Sequence, residues 1–272
     1  MPVGAPRLDA TDPPTTLSPR ATRPAPQGGR PGLSGTTRFI RYAFMPNRLR
    51  YCGGDDNRTI FEYAVEDARE PPLVGMLRKF SGAYPYLALI ARGAGIADPF
   101  DERVVEAYWV GNELLERVEA RQLHDHLRER FGRELTPRTL DRIAAKAPAG
   151  AKPHHSFHVF DVWRHSDRAS GEVLATLDSC RISWGIVRSV EPGELVVQRR
   201  ALALRGGRLV LDEPRSERVT RLVEGKGFAA AARPGDAVSL HWGWVCEVLE
   251  PRQVSALERY TLLHLRLAAQ TL

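Results

Sequence analysis

The chain of 272 residues has only three cysteines and no long apolar run. Cys52, Cys180 and Cys246 lie far apart and are odd in number, which argues against a disulfide framework and for a reducing compartment. No segment reaches the roughly 18 consecutive apolar residues that a membrane span needs. The N-terminal region also lacks the apolar core of a secretory signal. We therefore expect a cytoplasmic protein with no membrane partner.

Charge of one sign is not concentrated in any part of the sequence. The 39 Lys and Arg residues are interleaved with 33 Asp and Glu residues, and the formal net charge is +6. Interleaved charge is typical of a solvated surface, and no zinc-finger spacing is present, so we expect no nucleic-acid partner. With 43% hydrophobic residues, the chain is long enough to build two small cores.

The composition changes along the chain and predicts three regions. Residues 1–36 are rich in proline, glycine and arginine and contain almost no large apolar side chains, so we expect a disordered tail. Helical signals fill residues 37–178, and short alternating strands fill most of residues 179–272. The predicted fold class is α+β: a mainly helical domain, then a small β-barrel with a terminal helix over residues 252–269.

Capping and proline signals place several helix starts in the helical region. Aspartate and threonine side chains accept hydrogen bonds from the first free N–H groups of a helix, and proline fits its first turn. A further helix is expected to end at Gly93 or Gly95, and another is expected over residues 168–178. The predicted starts are Asp55 or Asp56 before residues 59–68, Pro71-Pro72, Asp98-Pro99 and Thr136-Pro137.

The segment after Cys180 carries the clearest strand pattern. Strands are expected over residues 186–190, 194–204 and 208–211, with glycine turns between them. The polar stretch 213–233 is expected to be an insertion between strands.

A second strand signal follows the turn Pro234-Gly-Asp, in which proline fixes φ and glycine tolerates positive φ. The residues after it alternate, so Ser239 and His241 are expected on one face and the apolar residues between them on the other. Trp242 and Trp244 flank His241 and are expected to be either core residues or a docking surface.

Two motifs frame this segment: Cys180-Arg-Ile-Ser-Trp-Gly-Ile-Val and Pro234-Gly-Asp-Ala-Val-Ser-Leu-His-Trp-Gly-Trp. Their residues and spacing resemble those of the HypC/HupF family, the small chaperones of [NiFe]-hydrogenase maturation. Two positions differ from that pattern, because Cys180 is internal rather than N-terminal and Trp184 stands where the family has proline. The whole chain is also similar to an uncharacterised actinobacterial family associated with hydrogenase genes.

This resemblance implies an OB-like barrel that acts as an assembly chaperone rather than an enzyme. The implied partners are the large-subunit precursor of a [NiFe]-hydrogenase or other maturation proteins. Cys180 and His241 would hold an iron fragment, for which a thiolate and an imidazole are suitable ligands. The alternative is an inert buried thiol and a hydrogen-bonded histidine. The partner-binding positions carried over from the motifs are Cys180, His241, Gly185, Asp236 and Trp244.

A histidine cluster in Pro153-His-His-Ser-Phe-His-Val-Phe-Asp-Val-Trp suggests a different function. If this stretch is helical, His154 and His158 share a face at a spacing that suits a chelate, whereas in a strand they lie too far apart. The pattern leaves helix and strand open. The alternative function is an enzyme that depends on iron or another metal. If these histidines bind no metal, we expect them to make ordinary hydrogen bonds at a domain junction. The candidate ligands are His154, His155, His158 and Cys52.

Overall fold

The structure, a computed structural model, describes residues 33–66, 71–162 and 173–269. These residues form an α+β fold, as predicted: helices, then a closed five-stranded barrel, then one long helix. No described helix is long and apolar enough to cross a membrane. The elements are α1 (Gly35–Arg48), α2 (Asn57–Val65), α3 (Pro71–Arg78), α4 (Tyr84–Ala94), α5 (Glu102–Trp109), a 3₁₀ turn (Glu113–Arg117), α6 (Ala120–Phe131), α7 (Pro137–Ala144), α8 (His155–Phe157) with a π-helical turn (His158–Val162), α9 (Val173–Cys180), β1 (Ser183–Glu191), β2 (Glu194–Arg205), β3 (Arg208–Thr220), β4 (Ala237–His241), β5 (Trp244–Leu249) and α10 (Pro251–Ala268).

Local signals in the sequence located several helix ends correctly. α3 begins at Pro71, and Thr136 caps α7 by accepting a hydrogen bond from the Thr139 N–H at 3.3 Å. α4 ends at Gly95, whose φ of 70° is the left-handed conformation expected of a helix-ending glycine. These ends are set by short-range hydrogen bonds and backbone conformation, which a few neighbouring residues determine.

Other predicted ends were wrong. α5 begins at Glu102 because Asp101 caps it, whereas the Asp98 carboxylate is used in a local turn and accepts from the Phe100 N–H at 2.9 Å. Asp56 stands at the N-cap position of α2 without capping it, because its carboxylate binds Lys79 Nζ at 2.7 Å. When an aspartate can either cap a helix or bind another partner, the neighbouring sequence does not determine which interaction forms.

The boundaries of two predicted segments differ from those in the structure. α1 begins inside the expected tail, where Ser34 Oγ accepts from the Thr37 N–H at 3.1 Å. Residues 1–32 of that tail lie outside the described residues, as do residues 168–172 of the helix expected before Cys180.

The histidine-rich stretch is helical, which settles the choice that its pattern left open. α8 is a single turn that continues as a π-helical turn. π-helical turns are rare and occur most often at functional sites. Trp163, at the end of the stretch, lies outside the described residues.

The barrel has the strand order β1-β2-β3-β5-β4 and closes through pairing of β1 with β4. All neighbouring pairs are antiparallel except β3 and β5. The predicted insertion at 213–233 was wrong in its first part, because residues 213–220 continue β3 and pair with β2 back to Glu194. The polar residues there alternate on a strand whose outer face is exposed, and the pattern was therefore read as a loop.

The helices cover one face of the barrel and share a core with it. On β4, the apolar residues Val238 and Leu240 fill the barrel, as the alternation predicted. Ser239 and His241 face α1 instead: the Tyr42 hydroxyl donates to Glu247 at 2.7 Å and lies 3.0 Å from Ser239 Oγ. The largest apolar core therefore crosses the expected boundary at residue 179.

Candidate metal centre

His155, Cys180 and His241 meet at the junction of the helices and the barrel. One ligand atom from each side chain, two imidazole nitrogens and a thiol sulfur, lies within 4.8 Å of the other two. His155 opens α8, Cys180 ends α9 and His241 ends β4, so three separate elements deliver the three side chains. Among the described residues this is the cluster of histidine, cysteine and carboxylate side chains close enough to hold a metal ion.

The His241 ring is oriented by a backbone carbonyl on α1. Nδ1 lies 2.6 Å from the Tyr42 carbonyl oxygen, so Nδ1 carries the proton and donates it. Nε2 then has a lone pair, and although this atom is buried, none of the described residues makes a hydrogen bond with it. A backbone carbonyl that fixes the tautomer in this way is the usual outer-shell partner of a metal-binding histidine.

The His155 ring lies between a tyrosine and the Cys180 backbone. Nδ1 is 3.1 Å from the Tyr108 oxygen, and the Tyr108 hydroxyl donates to the Gly82 carbonyl at 3.0 Å. Nε2 is 2.9 Å from the Cys180 carbonyl oxygen. With the proton on Nδ1, the chain of donors runs from His155 through Tyr108 to Gly82, and the Nε2 lone pair faces the Cys180 carbonyl oxygen, so the ring has to turn away from that oxygen to bind a metal ion. The other neutral tautomer donates from Nε2 to Cys180.

Cys180 is held by a network of buried charges around the end of α9. The Asp178 carboxylate binds Arg181 at 3.0 Å and Arg199 at 2.8 Å, and it accepts from the Leu202 N–H at 2.8 Å. The turn after β4 is tied to the same place, because the Trp242 N–H donates to the Ser179 carbonyl at 2.8 Å. The thiol and the His241 ring are thereby fixed relative to each other.

Burial determines the protonation of all three side chains. It raises the pKa of the Cys180 thiol to about 12, an effect that the neighbouring Trp242 indole opposes. It lowers the pKa of His241 to about 4 and the pKa of His155 well below its usual value. At neutral pH the centre therefore consists of a thiol and two neutral imidazoles, and both imidazoles are already in the form that binds metal.

The cluster forms the floor of a cavity of about 500 Å³. The cavity lies between the helices and the barrel, and aromatic rings make much of its wall. Trp109 packs against both imidazoles, with ring centroids 4.6 Å from His155 and 5.7 Å from His241. Tyr51 stacks on Trp242 at the exposed end, with centroids 3.9 Å apart. Cys52 and His158 also line this cavity.

The loop after α1 brings Cys52 to the cavity. The Asn47 side chain donates to the carbonyls of Cys52 and Gly54 at 2.8 and 2.7 Å, which fixes the loop. Gly53 has a φ of 82°, and a Cβ there would come within 2.6 Å of Phe80, so only glycine fits the turn. Cys52 therefore lines the cavity without belonging to the cluster of His155, Cys180 and His241.

Two residues on the cavity wall have left-handed backbone conformations that side chains other than glycine rarely adopt. Arg50 has a φ of 63° and Trp242 a φ of 54°. Trp242 and Gly243 form the two-residue connection of β4 to β5, with positive φ at both positions as in a type I′ turn. Asparagine is favoured at the first of these positions, so tryptophan there costs stability. Such strain is concentrated at functional sites.

Four other candidate residues, His154, Trp244, Gly185 and Asp236, do not line the cavity. His154 is fully buried on the far side of α8, where Ser156 Oγ lies 2.8 Å from its Nδ1 and 2.7 Å from His264. Trp244 is fully buried against Phe44. Gly185 lies within β1, and Asp236 caps an exposed turn by accepting from the Arg233 N–H.

The match to a family covers nearly all of the described chain. A family model described as a family of unknown function, DUF6390, matches residues 32–272. The chain belongs to DUF6390. No curated protein and no solved structure matches it. The comparisons therefore confirm a family of unknown function and provide no link between this DUF6390 chain and the HypC/HupF chaperones.

Proposed function

We propose that this chain binds one transition-metal ion through His155 Nε2, Cys180 Sγ and His241 Nε2. The observation that carries the proposal is that the Cys180 sulfur and one ring nitrogen of each histidine lie within 4.8 Å of one another, in the lining of a cavity. Metal–ligand distances of about 2.0–2.3 Å put tetrahedral ligand atoms about 3.4–3.6 Å apart. Side-chain rotations that move the ligand atoms by about 1 Å are therefore enough to bring them to metal-binding distances.

The ligand set limits the metal. One thiolate and two imidazoles suit zinc, iron, cobalt, nickel or copper, whereas magnesium and calcium prefer oxygen ligands. His241 supports the assignment, because its buried Nε2 makes no hydrogen bond with any residue that the structure describes. A metal ion would provide that missing partner.

The three ligands leave one tetrahedral position open toward the cavity. Structural zinc sites are closed by four protein ligands, whereas catalytic sites keep a position for water or substrate. We infer that the metal acts on a small molecule in the cavity, as in a metal-dependent enzyme. The metal would polarise a bound oxygen or lower the pKa of a bound water.

Elemental analysis of the purified protein tests the metal site. We expect about one metal ion per chain, and its loss in Cys180→Ser and in His241→Ala. Cys52→Ser and His126→Gln are matched controls, since Cys52 lines the cavity without joining the cluster and His126 lies outside it. Controls that lose the metal, or ligand variants that keep it, would contradict the proposal.

Assembly of a [NiFe]-hydrogenase is the second candidate function. It is favoured by one observation, that Cys180 and His241, the pair implied by the HypC/HupF resemblance, belong to the same cluster. The half-buried thiol at a cavity floor is less suited to handing a metal fragment to another protein. Capture of a hydrogenase large-subunit precursor that depends on Cys180 would favour assembly, and normal capture by Cys180→Ser would exclude a role for the thiol.

A further inference from the structure

The charged side chains left on the cavity wall are both cations. Once the two imidazoles and the thiol bind a metal, the remaining charged side chains that line the cavity are Arg50 and Lys79. No acidic side chain is among the described residues that line it. A ligand in this cavity therefore meets positive charge without any negative counterpart on the wall.

Of the two cations, Arg50 is the more available to bind an anionic ligand. Lys79 already binds Asp56 at 2.7 Å, so part of its charge is used within the protein. Arg50 is exposed at the cavity mouth, makes no ion pair with any described residue, and is held there by a left-handed backbone. A guanidinium binds carboxylate and phosphate oxygens through paired N–H groups.

The inner wall adds a donor with no acceptor. Trp109 is 2% exposed and lines the cavity, yet its indole N–H has no hydrogen-bond partner within the described part of the chain. Burying an unpaired donor is costly, and a ligand oxygen would satisfy it. Tyr51, Trp242 and Tyr108 also line the cavity and give it apolar surface.

We propose that the cavity binds a small organic anion, with its charged group paired to Arg50, its apolar body between the aromatic rings, and an oxygen reaching the metal. Only the contact between the ligand oxygen and the metal rests on the proposed function; the pairing with Arg50 and the packing against the aromatic rings do not. The cavity of about 500 Å³ is within the usual range for a small-molecule site. The anion is a carboxylate or a phosphate ester, since a guanidinium binds both.

Three small aromatic probes test the charge requirement: benzoate, phenyl phosphate and uncharged benzamide, the last of which has the shape of benzoate. Binding to the metal-free protein is followed by tryptophan fluorescence, since Trp109 and Trp242 line the cavity. Binding to the cobalt-loaded protein is followed by the cobalt absorption bands. We expect one or both anions to bind at least about tenfold more tightly than benzamide, and the tighter anion identifies the class.

The variant Arg50→Gln should weaken anion binding about tenfold or more and leave benzamide unchanged. Arg48→Gln is the control, because Arg48 is an exposed arginine on the same chain segment that does not line the cavity. Equal binding of benzamide and the anions, or no effect of Arg50→Gln, would overturn the inference. If cobalt binds but anions do not, the metal site stands and the anion site fails. If anions bind and no metal does, the proposed metal site is wrong and the anion site stands.

Discussion

Metal binding at this centre should release one proton, and that proton should come from Cys180. Burial raises the pKa of the Cys180 thiol to about 12 and lowers the pKa of His241 to about 4 and that of His155 well below its usual value. Between about pH 6 and 9 the thiol is therefore protonated and both imidazoles are neutral. Only the thiol must lose a proton to bind the metal.

The magnitude follows from this count. Release of one proton makes the affinity rise about tenfold, or about 1.4 kcal/mol, for each pH unit. Over about three pH units the gain is about a thousandfold, with a constant slope. An exposed site of the same composition behaves differently: its histidines would add proton release near pH 6, and its cysteine would stop contributing above about pH 8.5.

Cobalt titrations monitored by thiolate-to-metal absorption, at half-unit steps of pH, measure the slope. Calorimetry in two buffers of different ionisation enthalpy counts the protons independently. Cys180→Ser should bind more weakly and lose most of the pH dependence. A slope near zero in the unmodified protein would refute the role of Cys180, and a slope near two at pH 6 would refute the neutral, buried state of the histidines.

Three further predictions concern the fold. Burial lowers the pKa of His241 to about 4 and of His154 to about 3, so their contribution to stability is complete above about pH 6.5 and is lost as the pH falls. Each of these two histidines should lower the free energy of unfolding by about 2 kcal/mol at pH 5. Urea unfolding at pH 5 and pH 7 measures this loss, and equal midpoints at the two pH values would contradict it. Glu106→Ala should destabilise by about 1–3 kcal/mol in urea unfolding, because the buried donors of Arg38 and Gln253 lose the carboxylate now 3.0 Å away while Arg38 keeps Glu247 at 3.4 Å. The more exposed Glu102→Ala should cost less than about 1 kcal/mol. Trp242→Asn should lower the free energy of unfolding by less than the roughly 3–5 kcal/mol typical of a tryptophan truncation, because asparagine accepts the left-handed backbone. The same variant should lose anion binding. A loss of stability as large as that of an ordinary tryptophan truncation would contradict the argument from backbone strain.

Local signals determined how much of the fold could be predicted. Pro71, Thr136 and Gly95 mark helix ends through contacts within a few residues. The alternation after Pro234 also placed His241 on the face opposite the barrel interior. The prediction was wrong where a side chain had two possible partners, as Asp56 has in its helix and in Lys79.

The candidate site depends on long-range packing, and this limited the sequence-based prediction. Cys180 and His241 were paired by a family resemblance, and His155 was assigned to a separate candidate site with His154 and His158. The structure brings His155 to the first pair because α8 packs between α5 and the start of the barrel, which no local pattern reports. Spacing favoured His154 and His158, but α8 is one turn long and His154 stands outside it as the cap.

The cavity wall was the least predictable part. Trp109 lies on an apolar helix face, where core packing and pocket lining give the same sequence pattern. Arg50 had no signal at all, since an exposed arginine in a loop is ordinary. Its left-handed backbone and its position at the cavity mouth appear only in three dimensions.

X-ray absorption of the metal-loaded protein tests the central claim most directly. If His155, Cys180 and His241 hold the ion, the spectrum should contain one sulfur at about 2.3 Å and two imidazole nitrogens at about 2.0–2.1 Å, with room for one further light atom. Cys52→Ser should leave this spectrum unchanged. A first shell with no sulfur, or with a second sulfur that disappears in Cys52→Ser, would contradict the assignment.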